Sequence, residues 1–147
     1  SNYFFLLRDD YAYNRSSSSS NPYGAIKRLK KYSAGIVSPL YICFRINSNL
    51  VELNYAEYAF DSGVLNKELD MVTQEGARNH GMLNIAVEDF FNCRIELPSY
   101  DEQIKIAEIL HASYSSVMLQ EEELEQEQRK KKALMQQLLT GKVRVSV

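Results

Sequence analysis

The chain has no tryptophan and only two histidines, two cysteines and three prolines in 147 residues. Cys43 and Cys93 stand far apart with no CxxC and no clustered histidines, which excludes a sequence-evident zinc site or disulfide framework. A GxSxG elbow, a P-loop, a GxGxxG turn and an HExxH helix are all absent, and His80 and His111 are isolated from any nucleophile. No catalytic residue, no metal and no cofactor is therefore expected. Long apolar runs are missing too, none approaching the ~20 residues of a membrane span. The aromatic stretch Tyr3 to Leu7 meets Arg8, Asp9 and Asp10 too soon to be a signal peptide. The chain reads as cytoplasmic, with no membrane partner.

What is present is a folded-protein composition, 45% hydrophobic, with an uneven charge distribution behind a net charge of -2. Residues 1–50 carry seven Lys/Arg against two Asp/Glu, residues 51–100 three against nine, and residues 101–147 seven against eight. Phosphate contacts are expected in the basic first third.

Gly35 to Ile46, GIVSPLYICFRI, reads as one buried strand, with Pro39 placing its first half at an edge or bulge. Leu50 to Phe60 and Val64 to Thr73 read as two short helices around Asp61-Ser62-Gly63. Met82 to Val87 and Cys93 to Leu97 read as strands flanking a turn or short helix at Glu88 to Phe91.

After Leu97-Pro98, Ser99 and Glu102 stand at capping-box spacing, and no glycine or proline follows before Gly141. A helix over 99–140 is predicted, ~60 Å long at 1.5 Å per residue. Ala107, Leu110, Tyr114, Val117, Glu121, Leu124, Gln128, Lys131, Met135 and Leu138 alternate steps of three and four, the seam of a coiled coil. EEELEQE (121–127) is followed by RKKK (129–132), so an antiparallel partner centred near Glu127 would lay acid along base. The helix-partner interface is expected at Ala107, Leu110, Tyr114, Val117, Leu124, Met135 and Leu138; a solvated charged face is the plainer reading.

The segment NRSSSSSNPYGAIKRLKKY (14–32) admits two readings, a flexible linker or a binding surface. Asn14, Arg15, Ser16, Ser17 and Ser18 offer groups that bond phosphates and base edges, and Lys27, Arg28, Lys30 and Lys31 supply cations. Arg78, Asn79 and His80 form a second polar cluster between Gly76 and Gly81. Asn21-Pro22-Tyr23 is similar to the Asn-Pro-Pro-Tyr loop of amino-methyltransferases, but it lacks the second proline and the glycine-rich turn for a methyl donor.

Taken in order, DDYAYNRSSSSSNPYGAIKRLKKYSAGIVSPLYICFRI, EGARNHGMLNIAVEDFFNCRIELPSYDEQIKIAEIL and KKKALMQQLLTGKVRV resemble the DNA-specificity (S) subunit of type I restriction-modification systems. The resemblance implies an α+β protein: a small mixed α/β target-recognition domain over 1–98 lacking its N-terminal part, a long coiled-coil helix over 99–140, and a tail at 141–147. It implies a non-catalytic subunit that recognises one half of a bipartite site in double-stranded DNA. The helix would serve as spacer and as docking site for methyltransferase (M) subunits, with a restriction (R) subunit joining for cleavage. Such proteins carry two recognition domains and two helices packed antiparallel. This chain has one of each, so a homodimer through the helix would supply the missing half. A reading of another class is a structural coiled-coil dimerisation protein whose head binds protein.

Overall fold

The computed structural model describes residues 3–73 and 81–145. Among the described residues it is an α+β structure with five short strands, β1 (Phe4–Leu7), β2 (Tyr11–Asn14), β3 (Ala25–Arg28), β4 (Ala34–Val37) and β5 (Ile42–Phe44). Four helices follow, α1 (Leu53–Asp61), α2 (Asn66–Val72), α3 (Val87–Asn92) and α4 (Tyr100–Leu139). The chain divides into two compact units, residues 1–107 and 108–147.

In the first unit β1 pairs antiparallel with β4, and β2 lies between β3 and β5, antiparallel to both. The two ladders meet at a bulge in which Asp9 N–H donates to Leu29 O and Leu29 N–H donates to Asp10 O. Two residues thus oppose one, and Asp9 takes a positive φ of 71° to accommodate the extra residue. Next in the chain, Asp10 is nearly buried and its carboxylate is held by Arg45 at 2.6 and 3.0 Å and by the Leu7 N–H at 2.8 Å.

The hydrogen bonds from Arg45 keep the Asp10 carboxyl below its ordinary value of 3.8, outweighing partial desolvation. A carboxylate favoured in the fold adds stability in full above that ordinary value and loses it as pH falls through the lowered one. Thermal melts at decreasing pH should therefore lose a stabilising increment below pH 3.8 that Asp10→Asn does not show. Parallel melting curves for the two proteins would contradict this assignment.

Strict alternation on β2 sends Tyr11 and Tyr13 into the core with Ile26 of β3 and Ile42 of β5. Ala56, Leu65, Leu69 and Phe90 from α1 to α3 close over them. The rings interlock: Tyr13 stacks on Phe90 at 4.9 Å, and Tyr11 contacts Phe44 at 5.4 Å and Phe60 edge-on at 5.5 Å.

The expected single strand over Gly35–Ile46 is instead two strands in two different sheets. Ser38 O accepts from Tyr41 N and Ser38 Oγ from Leu40 N, forming a turn at Pro39, which has no N–H to continue a ladder. Ile36 is accordingly 68% exposed rather than buried. Met82 to Val87 and Cys93 to Leu97 are not strands either, apart from one bridge between Met82 and Ser16. Leu83 and Ile85 still bury alternately, but the Ile85 carbonyl accepts from the Arg15 side chain rather than from a neighbouring strand. Their apolar alternation follows from burial without ladder pairing.

Of the two expected short helices, α2 lies within its span, and α1 starts inside its span and runs one residue past it, to Asp61. Glu52 caps α1 by accepting from Tyr55 N–H at 2.6 Å. At the start of α4, Ser99 Oγ accepts from Glu102 N–H at 3.4 Å, and at its end Gly141 takes a φ of +70°, the left-handed stop that its lack of a Cβ permits.

Candidate nucleic-acid interface

The serine-rich segment is the connection between β2 and β3, and its ends are held by specific bonds. Arg15 donates from Nε and Nη2 to Leu40 O at 3.1 and 2.9 Å and from Nη1 to Ile85 O at 2.9 Å. Its backbone carbonyl accepts from Leu83 N–H at 2.9 Å, and Ser17 N–H donates to Gly81 O. Asn14 Oδ1 accepts from Ser16 N–H at 3.0 Å. At the tip, Ser18 N–H donates to Asn21 O, and Asn21 N–H donates to Ser18 Oγ at 3.1 Å.

Tyr13 Oη donates to Tyr23 O at 2.7 Å at the loop's exit. Gly24 has φ +79° there, and a Cβ would lie 2.2 Å from Asn14 O, so glycine is required. Ser16 and Ser18 to Asn21 are exposed, while Arg15 and Ser17 are half-buried. The result is an ordered loop with outward-facing hydroxyls, unlike a tether.

The cations of the basic segment sit on β3 and the turn after it, opposite α1. Lys27 Nζ is 2.6 Å from Asp61, and Lys30 Nζ is 3.0 Å from Glu57. Arg28 is different: its side chain is only 9% exposed, with Nε 3.4 Å from Asp9 and 3.7 Å from Glu57 and Nη2 3.3 Å from Asn54 Oδ1. A guanidinium so enclosed serves the packing of α1 on β3. Lys31 lies 5.8 Å from the centre of the Tyr32 ring. Arg78, Asn79 and His80 fall outside the described residues.

Charge counting missed Asp9, Glu57, Asn54 and Asp61 as partners of these cations. The signal was present in the excess of acid over residues 51–100, which packs against the basic strand. The local field beside β3 is more balanced than the sequence suggests.

Burial raises the Tyr11 phenol to about 12 and the Tyr13 phenol further, so both stay neutral hydrogen-bond donors. Desolvation likewise raises the thiols of Cys43 and Cys93, which suits half-buried packing groups rather than nucleophiles. Among the described residues no group of three or more His, Cys, Asp and Glu could hold a metal ion.

In the second unit, Leu110, Tyr114, Val117, Leu124, Met135 and Leu138 are all exposed. Arg129 pairs with Glu125 at 2.6 Å and Lys130 with Glu127 at 2.5 Å along the helix. Ala107 ends the first unit and is buried, so unlike the other expected seam positions it presents no free surface to a partner helix. Among the described residues no helix is long and apolar enough to cross a membrane. No model of a known protein family matches the sequence, and no curated protein matches it.

Proposed function

We propose that this chain is a non-catalytic, sequence-specific DNA-recognition module of the kind found in type I specificity subunits, acting in the cytoplasm. The observation that carries the reading is the β2–β3 loop, whose serine and asparagine groups face solvent while Arg15 ties its base to the Leu40 and Ile85 carbonyls. Preordered hydroxyls and amides suit phosphate and base-edge contacts, because little conformational entropy remains to be lost on binding. Lys30 contributes through its surface ion pair with Glu57, worth ~0–1 kcal/mol and weak enough for a phosphate to compete with the carboxylate.

The helix from Glu108 onward is the assembly element, its apolar seam taking a second helix in antiparallel register and supporting methyltransferase and restriction subunits. The balanced charge beside β3 favours a second reading, in which the helix dimerises the chain and the head binds protein.

One titration separates the two. The full chain should bind a random-sequence duplex pool in a salt-dependent manner, with affinity falling steeply between about 50 and 200 mM salt. Arg15→Ala should weaken that binding at least tenfold by releasing the loop. Sedimentation of Leu110→Asp and Leu124→Asp variants should show loss of self-association. A chain that self-associates through these leucines and yet retains no duplex at low salt would establish the second reading instead.

A further inference from the structure

A cleft of about 170 Å³ opens between the tip of the β2–β3 loop and the α1–α2 connection. Ser20, Asn21 and Lys27 line one side and Asp61, Ser62 and Asn66 the other, so the walls are mainly polar, while the Phe60 ring packs into the core against Tyr11 and Phe44. Cavities of ~150 Å³ accept a single six-membered ring, so the space suits one small planar group rather than an extended ligand.

The walls argue for its chemistry. Lys27 and Asp61 meet at 2.6 Å, so their charges cancel and the cleft does not favour an anion such as phosphate. They are nevertheless 69% and 45% exposed, so the pair is cheap to open and each partner can turn to a ligand. Once turned, Lys27 donates, Asp61 accepts, and the Asn21 and Asn66 amides do both. A neutral planar group with donors and acceptors side by side answers that set. The edge of a nucleobase has this pattern, and Asp, Asn and Lys are among the side chains that read it.

We propose that this cleft is a base-reading pocket, which receives the hydrogen-bonding edge of one nucleobase of the DNA and makes Asp61 and Asn66 determinants of site choice. The inference rests on the DNA-recognition reading and adds to it two residues from outside the basic third of the chain. Asp61 ends α1 and Asn66 begins α2, so both are displayed from helix termini rather than from a free loop.

The test is selection of a randomised duplex library by the full-length chain, by Asp61→Asn and by Asn66→Ala, with sequencing of the retained DNA. The exposed Lys27–Asp61 pair adds little stability, so both variants should melt near the parent chain. Each variant should still retain DNA but relax or change its preference at one or two adjacent positions, by about tenfold in relative enrichment. An unchanged preference in both variants would overturn the pocket while leaving DNA recognition intact. So would a uniform loss of affinity at every sequence, the mark of a phosphate contact. If the parent chain enriches no sequence, the DNA reading fails and the pocket fails with it.

Discussion

Gln103→Leu is expected to destabilise the first unit by about 3 kcal/mol, because it removes the side-chain partner of three part-buried backbone groups at once. Gln103 is 1% exposed although it lies in a helix whose surroundings in sequence are charged. Its Oε1 accepts from Glu52 N–H at 2.9 Å, and its Nε2 donates to Pro98 O at 3.0 Å and Leu50 O at 3.3 Å. These groups sit just before α1 and just before α4, where no helix or sheet partner is available to them.

Leucine fills much of the volume and supplies no hydrogen bond. Gln103→Met, closer in shape, should lose almost as much, which separates the polar role from packing. Urea unfolding under reducing conditions measures both, as a fall in midpoint at unchanged slope. Variants within about 0.5 kcal/mol of the parent would show that the carboxamide does not hold these segments together.

Tyr13→Ala should cost more, about 4 kcal/mol, in line with removal of a buried aromatic ring. Tyr13 is fully buried, stacks on Phe90 at 4.9 Å and donates to Tyr23 O at 2.7 Å. Against the ~5–15 kcal/mol typical of a domain, that loss leaves a large unfolded fraction near physiological temperature. Tyr13→Phe retains the ring and removes only the donor to Tyr23, for about 1 kcal/mol. It should also release the exit of the β2–β3 loop, seen as faster amide exchange at Gly24, whose N–H donates to Asn21 O at 3.1 Å. Equal stability for the alanine and phenylalanine variants would mean that the ring, contrary to its burial, holds nothing.

On the proposed function, the two sites join stability to recognition. Gln103 fixes the start of α4 to the loop before α1, and Tyr13 fixes the last residues of the polar loop above the core. On the proposed DNA-recognition reading, a variant at either position would weaken duplex binding through disorder of the head rather than through a lost contact. The Asp61→Asn and Asn66→Ala variants, by contrast, should leave the head folded and change only the preferred sequence.

The amino-acid order alone specifies α4, because the absence of glycine and proline from Ser99 to Thr140 and the stop at Gly141 are properties of near neighbours. It determined α1 and α2 for the same reason, and it located the polar segment between two apolar ones. Local periodicity was misleading where burial produced it: Leu83 and Ile85 alternate like a strand, yet the segment forms a single bridge, Met82 to Ser16, and no extended ladder, and Pro39 divides one apolar run between two sheets.

What the charges do depends on contacts made across the folded chain. Lys27 with Asp61, Lys30 with Glu57, Arg15 with Ile85 and Gln103 with Glu52 lie 34, 27, 70 and 51 residues apart in the chain. A polar side chain has no period that announces its partner; its role is set by which strand, helix or loop the fold brings within about 3 Å. That is why the basic segment, open-ended in the sequence, becomes in the fold a set of paired cations beside an ordered loop.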